Sequence, residues 1–187
     1  MDGVQPSFTA VTYYSICDLS EAFCKLECVQ MAVKGKIEDR VEIKTSGQEF
    51  HDVFNGKPHH LANISPEKIH GCTLHSGDLG STGSTIEWHY THEGVKKSTK
   101  QIIEVDDGKY KVVYKITEGH FSEEYSNFHI IYDAIPKPDG GTIVHWIFEF
   151  EKPGEETPDP TSLLEYLCDL TKDIDAHIQE VAAAAKN

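Results

Sequence analysis

Three groups of residues in this 187-residue chain have types and spacings that could support chemistry. The first is aromatic: Trp88 and Tyr90, Tyr114, Phe128 and Tyr132, and Trp146 and Phe148 recur at alternate positions of short runs, which places them on one face of successive strands. Three tyrosines and two tryptophans on an inner face each carry a polar group that needs a partner once buried. A dry core avoids that many, whereas a cavity holding water or an amphipathic ligand satisfies them. Ordinary core packing is the competing reading. The second group is the glycine loop GDLGSTGS, residues 77–84, with Gly77, Gly80 and Gly83. Backbone N–H groups of such loops can cradle a phosphate. This one lacks the following Lys of a nucleotide loop and does not open a helix, so it reads as a tight strand connection beside a cavity. The third group is the eleven histidines. His59 and His60 lie in a short helical segment where they could line an entrance or exchange protons near neutral pH. No HxH or HxxxH pair occurs, so no metal site is expected, and His89, His129 and His145 fall on the polar strand face. Glu118, before Gly119 and His120, is a further carboxylate, and nothing in its spacing supports a catalytic role.

The elements that must position these groups begin with the C-terminal run. Asp159 is a good N-cap, with Pro160 at the first helical position, and no Gly or Pro interrupts residues 161–187. Leu163, Leu167, Leu170, Ile174, Ile178 and Val181 form one apolar stripe, with Glu165, Asp169, Lys172, Asp173, Asp175 and Glu180 opposite. Ahead of it, a strand over residues 34–44 is followed by a short helix capped by Ser46. A second short helical piece lies near 59–63, and a strand covers 68–75. Five further strand-like runs carry inward sets: Ile86, Trp88, Tyr90; Ile103, Val105; Val112, Tyr114, Ile116; Phe128, Ile130, Tyr132; and Val144, Trp146, Phe148, Phe150. Turns at Glu93-Gly94, at 106–108, near Gly119 and at 138–141 make neighbouring strands antiparallel. A seven-stranded sheet at nearly 5 Å per strand is more than ~30 Å wide, whereas one helix covers a strip of about 10 Å. The sheet must therefore curl around the helix or leave space beside it.

Composition bounds the function. The formal net charge of −14 argues against a nucleic-acid partner, and no run of 18 apolar residues is present to span a membrane. Five cysteines are too few and too uneven for a disulfide framework, which favours a reducing, cytoplasmic setting. Residues 1–30 hold Cys17, Cys24 and Cys28 and a weak helical spacing of Ile16, Leu19, Phe23 and Leu26. They read as an extension outside the core, with the domain over 31–187.

The order of elements, GDLGSTGS before the third strand, the IPKPDGG turn, KPHHLANISPEKI, ITEGHFSEEY and the terminal DPTSLLEYLCDLTKDIDAHI together resemble the major latex protein branch of the Bet v 1-like superfamily. The resemblance covers residues 31 to about 182. It implies an α+β fold of the START-like helix-grip type: a seven-stranded antiparallel sheet around a long C-terminal helix, with two short helices closing a cavity. On that frame the cavity set becomes Phe54, His60 and Leu61 from the short helices, Leu164 and Leu167 from the terminal helix, and Ile86, Trp88, Tyr90, Val112, Tyr114, Ile116, Phe128, Ile130, Tyr132, Val144, Trp146 and Phe148 from the strands. The resemblance implies a monomeric carrier or receptor of small hydrophobic plant metabolites or hormones, linked with defence and stress, without a cofactor. An enzyme of alkaloid-type metabolism using the same cavity is the alternative. No acid and base stand at a diagnostic spacing, so binding is the expected function.

Overall fold

The computed structural model describes residues 32–105, 110–138 and 140–185. Expectations about residues 1–30, the turn at 106–108, Asp139 and the Val105 side chain lie outside the described residues. The elements run β1 (Val33–Ile43), α1 (Gly47–His51), a π-helical turn (Asp52–Gly56), a 3-10 turn (Pro58–His60), α2 (Leu61–Ile64), β2 (Ile69–Ser76), β3 (Thr85–His92), β4 (Val95–Val105), β5 (Lys111–Gly119), α3 (His120–Glu124), β6 (Ser126–Pro136), β7 (Thr142–Lys152) and α4 (Thr161–Ala184). The seven strands form one sheet of order β1-β7-β6-β5-β4-β3-β2, antiparallel at every pairing. This is the sheet that the alternating runs predicted. β1 closes on β7 through a long crossover, and β2 to β7 form a meander.

Local signals set the boundaries. Ser46 forms a capping box with Glu49 at the start of α1, satisfying a helix-end N–H and the cap's own N–H together. Glu93 and Gly94 both adopt positive φ (52° and 74°), the conformation of a two-residue hairpin turn that matches strand twist. After β5 the chain does not simply turn: Gly119, at φ 101°, passes so close to β4 that a Cβ there would collide with the Ser98 carbonyl oxygen. Helix α3 comes next, where the sequence pattern predicts only a turn.

The start of α4 differs from expectation. The helix begins at Thr161, Pro160 occupies the cap without a side-chain bond, and the Asp159 carboxylate pairs with Lys152 Nζ at 2.9 Å instead of capping. Leu163, Leu167, Leu170 and Ile174 of the stripe are buried, together with Leu164, Cys168 and Thr171. Ile178 packs on the core only partly, and Val181 is 56% exposed, so the last turns run past the surface that covers the rest. The inward residues of β3, β5, β6 and β7 are all buried, as the period-2 pattern required.

Candidate functional site

Between the concave face of the sheet and α4 lies a pocket. Phe54 of the π turn, Ile69 of β2, Trp88 and Tyr90 of β3, Thr99 and Gln101 of β4, Tyr114 and Ile116 of β5, Ile130 of β6 and Trp146 of β7 form its wall. Phe121 of α3 and Leu163, Tyr166, Leu167 and Leu170 of α4 complete it. The empty space is about 540 Å³ when the open mouth is counted, and the cavity itself is about 60 Å³. At ~10–15 Å³ per water on that measure, a few waters or one small group fit without rearrangement. Only hydroxyl, amide and indole groups interrupt the apolar lining.

Five polar groups around the pocket are bonded within the protein. Tyr90 Oη pairs with Thr99 Oγ1 at 2.8 Å, Tyr114 Oη donates to Asn55 Oδ1 at 3.2 Å, and Tyr132 Oη pairs with His51 Nδ1 at 2.9 Å. Trp146 Nε1 donates to Thr171 Oγ1 at 3.0 Å, and Tyr166 Oη donates to the Lys68 carbonyl at 2.9 Å. These pairings correct the expectation that water or a ligand must satisfy Tyr90, Tyr114, Tyr132 and Trp146. α1, the π turn, β4 and α4 supply the partners, and no count of inward tyrosines could reveal that. Burial pushes the Tyr90 phenol up to about 12, and holds Tyr114, Tyr132 and Tyr166 above the usual tyrosine range. They remain protonated at neutral pH and act as hydrogen-bonding groups, not bases.

Residues 32–181 match the model of the pathogenesis-related protein Bet v 1 family. This chain belongs to the Bet v 1 family. MLP-like protein 28 of Arabidopsis thaliana is 44% identical over 146 residues, 77% of this chain but 44% of that protein, so this chain spans less than half the length of that relative. MLP-like protein 43 of the same plant is 42% identical over 77% of this chain and 92% of its own length. The crystal structure of ginseng major latex-like protein 151 from Panax ginseng superposes with a TM-score of 0.73 at 36% identity, covering 78% of this chain and 97% of that one.

On this Bet v 1 frame the sequence candidates separate into two sets. Phe54, Trp88, Tyr90, Tyr114, Ile116, Ile130, Trp146 and Leu167 line the pocket. Leu61, Ile86, Val112, Phe128, Tyr132, Val144, Phe148 and Leu164 are buried in the surrounding core. Phe128 packs on Phe148, Phe150 and Phe121, and neither Phe128 nor Phe148 lines the space, while Tyr132 meets Phe50 and Phe54 edge-on and Trp146 at a tilt. His60 is exposed, its ring edge-on to His59, and neither is in the lining. His89 pairs with Thr73 and His129 with the Asn127 carbonyl, on the outer face. His145 is more covered than expected, with Nε2 3.7 Å from Glu38 Oε2. Glu118 is exposed and pairs with Lys100 at 2.7 Å, away from the pocket.

Gly77, Gly80 and Gly83 all have positive φ, and none lines the pocket. Four of the loop N–H groups are already used: Asp78 N bonds Ser84 Oγ, Ser81 N the Asp78 carbonyl, Gly83 N the Ile103 carbonyl and Ser84 N the Ser81 carbonyl. That wiring suits a strand connection and leaves those four amides unavailable to a phosphate. The loop also rests on the π turn, where Asn55 Nδ2 donates to the Gly80 carbonyl at 3.3 Å. Thr99, Gln101, Ile69, Phe121, Leu163, Tyr166 and Leu170 line the pocket without having been singled out for it. Continuing the β4 alternation backward from Ile103 would have found Gln101 and Thr99.

Proposed function

We propose that this protein binds and carries a small apolar or amphipathic plant metabolite or hormone in the pocket between its sheet and terminal helix, in the setting of defence or stress. The observation carrying the reading is the pocket's composition: aliphatic and aromatic walls with hydroxyl and amide groups as the polar functions. Such a surface gains affinity from apolar area removed from water and orientation from a few placed hydrogen bonds. Tyrosines held protonated by burial suit the holding of a guest better than proton transfer. Among the described residues no helix is long and apolar enough to cross a membrane. Cys72 and Cys168 are both free thiols, consistent with a cytoplasmic carrier. We place residues 1–30 outside the carrier domain because the family match begins at 32. A chain lacking them is expected to bind as the full chain does.

The chain's two tryptophans, Trp88 and Trp146, both face the pocket, so intrinsic fluorescence reports directly on its contents. Titration with the neutral apolar probe 1-aminoanthracene should quench that fluorescence saturably at one site per chain. Mass spectrometry of the protein from native tissue should find an apolar compound bound. Failure of the probe to quench, together with empty protein from tissue, overturns the carrier reading.

A further inference from the structure

At the end of the pocket nearest the β3–β4 hairpin, the fold buries an imidazole and gives it nothing to bond. His92, the last residue of β3, is 4% exposed, yet among the described residues neither Nδ1 nor Nε2 has a hydrogen-bond partner. A neutral imidazole carries one donor and one acceptor, and buried polar groups in native proteins are almost always paired. A second imidazole stands beside it. The His120 ring centre is 6.3 Å from that of His92; its Nδ1 is also buried without a partner among the described residues, while Nε2 lies 3.7 Å from Glu124 Oε1. Lys97 is next along: on β4 it shares the inward alternation of Thr99 and Gln101, and its charge acts on His120. Three basic side chains thus converge in a protein of net charge −14.

One ring thickness separates this cluster from the pocket. Phe121 and Tyr166 both line the pocket and both pack on His92, at centroid distances of 6.0 and 5.6 Å. Tyr166 is tethered through its hydroxyl to Lys68, whereas Phe121 sits on the five-residue α3, whose N-cap has no side-chain bond. Reaching the cluster from the pocket would require one of these two rings to move, and Phe121 is the one without a hydrogen-bond tether.

Given the carrier reading, on which this rests, we propose that His92, His120 and Lys97 form a subsite for the carboxylate of an amphipathic ligand whose apolar body fills the pocket beyond Phe121 and Tyr166. A carboxylate presents two acceptor oxygens, so it can take an N–H from each imidazole at ordinary hydrogen-bond length and sit beside the ammonium. A hydroxyl of the same chain length cannot meet all three.

Decanoate and decanol share an apolar body and differ at the head, so tryptophan quenching by each at pH 7 isolates the subsite. The full chain should bind decanoate at least tenfold tighter than decanol. His92→Phe should bring decanoate affinity down to near that of decanol, and His120→Phe and Lys97→Met should each narrow the gap. Equal affinity of the two ligands for the unaltered protein overturns the subsite, a result that stands even if His92→Phe does not fold. A preference that survives in His92→Phe and His120→Phe overturns it as well. Should neither ligand quench, the carrier reading fails and the subsite with it; decanol binding without a decanoate preference removes the subsite alone.

Discussion

The Asp175 carboxylate accepts hydrogen bonds from both the backbone N–H and the hydroxyl of Thr45, at 2.9 and 2.6 Å, tying the terminal helix to the chain where β1 ends and α1 begins. The same oxygen takes the Lys44 N–H at 3.1 Å. Two residues back, Asp173 accepts from Ser65 Oγ and Lys68 Nζ, each at 2.7 Å, where α2 ends. The short helices over the pocket are therefore pinned to α4 at both ends of their segment. Thr45 is 1% exposed, so Asp175→Ala leaves its N–H dry and unpaired. A loss of about 1–3 kcal/mol is expected in urea unfolding. Asp169→Ala, whose carboxylate pairs among the described residues with the exposed Lys172, should change stability by less than ~1 kcal/mol. Equal effects would mean that the carboxylate at 175 does not clasp the segment.

Thr171 is the only polar side chain in the buried stripe of α4, and Trp146 accounts for its presence. Its hydroxyl donates to the Leu167 carbonyl at 2.8 Å and accepts the indole N–H at 3.0 Å. Thr171→Val keeps the shape but leaves the fully buried indole N–H without a partner. It should destabilise by about 1–3 kcal/mol in chemical denaturation. Thr171→Ser, which restores the hydroxyl, should recover the hydrogen-bond part of that loss.

The sheet could be read from the sequence because its face alternates in hydrophobicity, and β3, β5, β6 and β7 each announce their inward side with aromatic or β-branched residues. β4 does not: its inward residues include Lys97, Thr99 and Gln101, polar types that hydropathy assigns to solvent. The pocket's polar wall was thus hidden by the property that makes it useful. Tyr166 and Phe121 were missed for another reason. Tyr166 lies beside the apolar stripe rather than in it, and Phe121 owes its position to the left-handed Gly119, which redirects the chain into α3. The clasps at Asp173 and Asp175 look like solvated helix charges until the partner segments are in place. Which buried aromatics face the space and which fill the core depends on the depth of the sheet's curl, a quantity that no local pattern encodes.

Acid sensitivity should arise first from His51. Burial holds its imidazole below the ordinary histidine value, with the Asp52 carboxylate opposing in part. The folded protein then binds fewer protons than the unfolded chain between the lowered value and 6.5, so stability falls as pH drops through that window. His120 shifts in the same direction, from burial first and then from Lys97. Carboxylates held low by partners, such as Glu87 with His75, lose their contribution only below about pH 4.5. Melting temperature followed from about pH 7.5 to about 5.5 should decline, and His51→Gln should reduce the slope. An unchanged slope in that variant would show that His51 does not titrate with folding.

The pocket's small free volume makes a sharper test of whether space itself is functional. In a core packed solid, adding a ring forces side chains off their rotamers and costs about 1–3 kcal/mol. Here Ile116, at the wall, faces about 60 Å³ of unfilled room. Ile116→Phe should extend into that room and leave stability within about 1 kcal/mol of the parent in urea unfolding. The same variant should weaken 1-aminoanthracene binding at least tenfold, because the ring occupies what the probe would use. Phe128→Trp, enlarging a core position outside the lining, should do the reverse: destabilise without selectively weakening the probe. If Ile116→Phe instead destabilises as a packed site would and binding persists, the guest does not lie against β5, and the space between sheet and helix is not where it is held.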